Sequence, residues 1–126
     1  MVAVSTPTII AIEWLDRRAE EAVVTISDGL HSIRCFAHPF REQVGAPVSS
    51  PVMTLDAAHV VRLTDRLAEV RGVGDLKYEI IGVVVQRSPP IVQTGKIFIE
   101  LDGPLPRDVM AGDLVEFVAD RIDYLG

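Results

Sequence analysis

The stretch EAVVTISDGLHSIRCFAHP, residues 21–39, constrains the fold more than any other part of the chain. Asp28-Gly29 separates two runs that alternate apolar and polar residues, and both central positions of a type I′ hairpin turn need positive φ, which this pair tolerates. A two-residue turn predicts Ser27 opposite Leu30, which puts Ile26 opposite His31, Val24 opposite Ile33 and Ala22 opposite Cys35 on one face. The other face carries Thr25 with Ser32, Val23 with Arg34 and Glu21 with Phe36. An apolar face backed by a mixed one is the pattern of a sheet that packs on a core through one side.

Upstream, Thr8 to Leu15 reads as a strand with Ile10, Ile12 and Trp14 on one face and Ile9, Ala11, Glu13 and Leu15 on the other. Helix over residues 11–22 is the alternative on propensity. Tyr78 to Arg87, Gly95 to Leu101 and Leu114 to Tyr124 read as further strands, punctuated by Ser88-Pro89-Pro90, Asp102-Gly103-Pro104 and Ala111-Gly112-Asp113. Between Phe40 and Leu55, Gly45, Pro47 and Pro51 restrict any strand to an edge. Residues 56–71 predict the one helix: Ala57, Val60, Val61, Leu63, Leu67, Ala68 and Val70 share half of a helical wheel, with Asp56 to cap it and Gly72 to end it. No repeat or low-complexity segment interrupts the 126 residues, so a single β domain over 1–126 is expected.

This order of elements, ending in Gly112-Asp113-Leu114-Val115-Glu116-Phe117, resembles the oligonucleotide/oligosaccharide-binding fold over residues 8–124. That fold is a small Greek-key barrel with a helix between its third and fourth strands. The resemblance implies a mainly β, barrel-shaped binding module without choosing among nucleic acid, sugar and protein as ligand.

In the barrel it resembles, the outer face of the second and third strands carries aromatics that stack on bases and arginines that reach phosphates. The matching stripe here is Arg34, Phe36 and His38, continuing to Phe40 and Arg41. These five are the candidate binding residues. His31, Cys35 and His38 suggest a metal site by composition, but residues 31 and 35 stand about 13 Å apart on a strand and His38 points to the other side. No metal is assigned, and Cys35 is expected to be a packed thiol. Asp102, Asp108 and Asp113 match no Ca²⁺ loop and are expected to be solvated turn residues. The serines lack a nucleophile elbow, and no phosphate-binding or dinucleotide motif calls for a cofactor.

Eighteen acids against twelve bases give a net charge of −6, of which residues 97–126 contribute −5. Such a field opposes a polyanion at long range. The expected role is therefore a non-catalytic binding or assembly module whose partner is a protein or a second copy of the chain. Single-stranded nucleic acid is the alternative, and an enzyme assembled from dispersed residues ranks third. One cysteine, no basic segment before Pro7, and a longest apolar run of Ile80 to Val85 point to a cytoplasmic protein that spans no membrane.

Overall fold

In the computed structural model, which describes residues 6–126, the chain opens with three antiparallel strands: β1 (Thr8–Asp16), β2 (Glu21–Ser27) and β3 (Ser32–Ala37). The β2–β3 hairpin has the predicted inner face and a different register. Ser27 stands opposite Ser32, Ile26 opposite Ile33, Val24 opposite Cys35 and Ala22 opposite Ala37. The turn therefore spans residues 28–31, and the cause is the Asp28 side chain. Its Oδ1 accepts the amides of Leu30 at 2.9 Å and His31 at 2.8 Å, while Gly29 takes a φ of 95°. A slip of two residues preserves the side-chain period, so Ala22, Val24, Ile26, Ile33 and Cys35 are all buried as expected.

No helix forms over the contested residues 11–22: β1 continues to Asp16, residues 17–20 turn, and β2 starts at Glu21. The register of β1 breaks between Ile9 and Ala11 and again between Trp14 and Asp16. The first bulge turns Ile10 outward, so Ile9 packs inward before it and Ile12 and Trp14 pack inward after it. Strict alternation had placed Ile9 on the face opposite Ile12 and Trp14.

The predicted helix over 56–71 is absent. In its place run β5 (Ala58–Leu63) and β6 (Glu69–Gly72), preceded by β4 (Val52–Leu55). Left-handed φ values at Asp56, His59 and Asp65 break any helical run, and Asp102 captures the amides of Asp56 and Ala57 that a helix would leave open at its start. β4 is not an edge strand either. Its four residues lie clear of Pro47 and Pro51, between a parallel and an antiparallel neighbour.

The remaining strands are β7 (Tyr78–Arg87), β8 (Pro90–Thr94), β9 (Ile97–Glu100), β10 (Leu114–Ala119) and β11 (Arg121–Tyr124). β7 keeps its predicted bounds, β8 was not foreseen, and the expected strand over 114–124 divides at Asp120, whose amide donates to Leu55 O at 3.1 Å. All eleven strands form one sheet, in the order β1-β2-β3-β11-β4-β9-β8-β7-β10-β5, with β6 also on β7. The path ends at β1 and β5, so the expected closed barrel does not form, and no described residue is helical. One cluster of buried residues, including Ile26, Ile33, Phe40, Ile80, Ile99, Phe117 and Ile122, draws on both halves of this path.

Two aspartates tie distant hairpins together. Asp28 Oδ2 accepts the Lys96 amide at 2.8 Å, joining the β2–β3 turn to the β8–β9 turn. Asp102 Oδ1 accepts the Thr54 hydroxyl at 2.7 Å and the Ala57 amide at 2.9 Å, and its Oδ2 accepts the Asp56 amide at 2.8 Å, fixing the β4–β5 turn. The expectation that Asp102 is merely solvated is corrected by these bonds.

Gly82, at the centre of β7, sits where β8 approaches closely. A Cβ there would meet Thr94 Oγ1 at 2.4 Å, Gln93 O at 2.6 Å and Val92 Cγ1 at 2.7 Å. Because the backbone carbonyl of Gln93 cannot step aside as a side-chain tip can, Gly82→Ala should destabilise the fold by about 1 to 3 kcal/mol. Urea unfolding measures this, with a matched Val85→Ala control at an exposed position of the same strand.

Candidate binding face

The surface turned away from the core divides into two chemically different halves. Around β3, the predicted alternation holds for Arg34, Phe36 and His38: the first two are half-buried and His38 is exposed, while Ile33, Cys35 and Ala37 are buried. Their surroundings are ion-paired. Arg34 reaches Glu13 on β1 at 2.9 Å and Asp75 in the β6–β7 loop at 3.2 Å. Arg121 lies over the Phe36 ring at 4.5 Å and is itself held by Asp123 at 2.7 Å. Arg41 is exposed and bonded by both carboxylate oxygens of Glu20. These contacts hold all three guanidinium groups well in their charged form, led in each case by the side-chain hydrogen bond to the carboxylate. Each of the three guanidinium groups is thus matched by at least one carboxylate.

Phe40 departs from the predicted stripe. It is 2% exposed and packs between Trp14 and Tyr124, at centroid distances of 5.8 and 6.0 Å. The chain turns after Ala37, and Phe40 N donates to Glu20 O at 2.8 Å, so strand parity no longer governs the side chain. Phe40 packs into the core instead of continuing the outward stripe.

The other half is apolar and was not recognised as a site from sequence. Phe98 on β9 faces Gln93 on β8, which faces Val83 on β7, then Leu114 on β10 and Leu63 on β5. Directly paired residues share a face, so these side chains form one row across five strands, about 19 Å long. The neighbouring row holds Ile81, which is buried where β6 pairs alongside, together with Glu116 and Val61. Phe98 is 42% exposed, Val83 39% and Val61 51%, whereas Ile99, Val84 and Val115, one residue along each strand, are buried. Beside Phe98 lies a hollow of about 280 Å³ lined in part by Val48, Pro51 and Lys96. A signal for this face does exist in the sequence. The run Ile80-Ile81-Gly82-Val83-Val84-Val85 is apolar at both parities, and a strand with one wet face should alternate.

Among the described residues, no group of three or more His, Cys, Asp or Glu side chains is placed to hold a metal ion. His31 lies in the turn shaped by Asp28, while Cys35 is buried between β2 and the core. Burial, with the Asp123 carboxylate adding to it, pushes the Cys35 thiol far above its ordinary pKa. Tyr124 is raised in the same way by burial and by its bond to Glu42. No described helix is long and apolar enough to cross a membrane. Compared with family models, curated proteins and solved structures, the chain gives no significant match in any of the three.

Cys35 should consequently react with a thiol reagent only as fast as the protein opens, and Cys35→Ser should lower stability by about 1 to 3 kcal/mol through a buried hydroxyl. Rapid labelling under native conditions would show that the thiol is accessible.

Proposed function

We propose that this protein is a non-catalytic binding or assembly module, acting in the cytoplasm, whose partner is another protein. The observation that carries this reading is the outward row of Phe98, Gln93, Val83, Leu114 and Leu63, apolar at four of its five positions on a face that a sheet packed through one side would leave polar. Phe98 beside its hollow is the kind of aromatic anchor that dominates protein interfaces. Arg34, Phe36, His38 and Arg41 form a secondary patch in this reading, where Phe36 under Arg121 supplies contact area and the paired arginines supply orientation. The carboxylate pairing of these guanidinium groups and the −6 net charge favour protein over single-stranded nucleic acid. Nothing in this reading depends on a closed barrel.

Chemical cross-linking in the native cell, followed by capture of the wild-type chain and of two variants, tests it. Val83→Glu should abolish recovery of the partner and Phe36→Ala should reduce it, both with unchanged circular dichroism. Salt should weaken the complex only slightly. Micromolar binding to an oligonucleotide that weakens steeply with salt and is lost with Phe36→Ala would overturn the proposal in favour of nucleic acid.

A further inference from the structure

The hollow beside Phe98 has a lining opposite in charge to the chain as a whole. It measures about 280 Å³, and of its lining residues none is acidic and one, Lys96, is basic, on a chain with eighteen acids and a net charge of −6. Strand order explains how these groups meet. Ile97 and Ile99 of β9 are buried and Phe98 is exposed, so Lys96, two residues before Phe98, shares its outward parity about 7 Å away. β4 runs parallel to β9 with Val52 opposite Ile99, which brings the preceding residues Ser49, Ser50 and Pro51 up beside Lys96 and Phe98. Val48 completes the apolar wall and is pinned there, its amide donating to Pro7 O at 2.8 Å. Among the described residues, the Lys96 ammonium and the hydroxyls of Ser49 and Ser50 have no hydrogen-bond or ion-pair partner. Asp28 is buried, with Oδ2 accepting the Lys96 backbone amide, and Glu100 lies two residues beyond Phe98.

We propose that this hollow takes the C-terminal residue of the partner protein, with its carboxylate on Lys96, Ser49 and Ser50 and its apolar side chain against Phe98, Val48 and Pro51. An ammonium brings three N–H donors and each serine one O–H, a set that suits an anion with several lone pairs. A carboxylate accepts from all of them, whereas a neutral amide has a single acceptor oxygen and no charge to set against Lys96. Size selects the chain end. A space this small admits roughly one side chain, and only a C-terminal residue carries a carboxylate and an apolar side chain on the same Cα. An acidic side chain inside a partner segment would need a second residue to reach Phe98. Pro51 has a fixed φ, so part of the wall is ordered before anything binds. One residue in an open hollow binds weakly, with a dissociation constant on the order of 0.1 to 1 mM for an isolated peptide. This deepens the proposed function by naming what the partner presents, and it rests on that reading.

Titration of the full, isotope-labelled chain with an acetylated pentapeptide ending in leucine tests this, read by the amide shifts of Ser50, Lys96 and Phe98. The expected result is saturable shifts at these residues, with the same peptide amidated at its C-terminus binding at least about tenfold more weakly. Lys96→Gln should weaken the free acid about tenfold and leave the amide unchanged. Its unfolding midpoint should match wild type, because only the Lys96 backbone meets Asp28. Phe98→Ala should weaken both forms, and if that variant fails to fold, the contrast between acid and amide still decides. Equal binding of acid and amide, or no saturation below about 10 mM, overturns the inference. So does an amidated peptide with an internal glutamate that binds as well as the free acid. If a protein partner is then still recovered through Val83, the proposed function stands without this site, whereas peptide binding with no partner recovered counts against that function alone.

Discussion

A buried carboxylate shared between two hairpins is expensive unless its charge is answered, and Asp28 is fully buried with its carboxylate accepting the backbone amides of Leu30, His31 and Lys96. Burial by itself would raise its pKa, but the amides of Lys96, His31 and Leu30 together outweigh that and hold the group below its ordinary value. The consequences reach well beyond the turn. Asp28 sets the four-residue loop and hence the β2–β3 register, and it fastens that hairpin to the β8–β9 turn, 68 residues away in sequence. Close by, the Arg34 amide donates to the Tyr78 hydroxyl at 2.9 Å, so β3 is also held against the start of β7. Gly95 is where the two turns meet: its φ is +60°, and a Cβ there would come within 2.2 Å of Asp28 Oδ2. Only glycine fits both the backbone conformation and the space.

With the two hairpins joined, the outer surface has a definite layout. Strands near β3 present paired charges around one half-buried ring, and strands near β7 present an apolar row beside a hollow. Exposed ion pairs add little stability, about 0 to 1 kcal/mol each, so their value is chiefly that they neutralise this region. Among the described residues, Phe98, Val83 and Val61 on the apolar half stay exposed. The functional proposal follows from that difference.

Much of this was legible in the chain, for reasons tied to particular residues. The inner face of the hairpin was readable because a two-residue period survives a two-residue slip, even though the register was wrong. What defeated the register was Asp28, read as a turn residue when it acts as an acceptor for Lys96 on a distant turn. The helix over 56–71 failed because its 3.6-residue pattern counted Val60 and Val61 as a helical face although β-branched residues favour strands, and Val61 pairs with Glu116 on β10; it also had no view of Asp102, which takes the amides a helix would need. Parity identified Arg34, Phe36 and His38 as outward, and it failed at Phe40, where the strand had ended. Val83 and Phe98 were overlooked because apolar residues were assigned to the core by default, although β7 carries more of them than one face can bury.

The dependence on Asp28 predicts a specific pH signature. A group whose pKa is lowered by folding contributes stability that is fully present above its unfolded value, near about 3.9, and is lost as pH falls through the folded value beneath it. Asp102 is lowered too, with burial outweighed by Ala57, Thr54 and Asp56, so the wild type alone would report both groups. The difference in unfolding free energy between wild type and Asp28→Asn isolates one of them, since asparagine does not titrate. The predicted result is a wild-type advantage of about 2 kcal/mol or more at neutral pH that shrinks steadily below about pH 4. A difference near zero at neutral pH, or one that stays constant down to pH 2, would contradict the role given to this carboxylate.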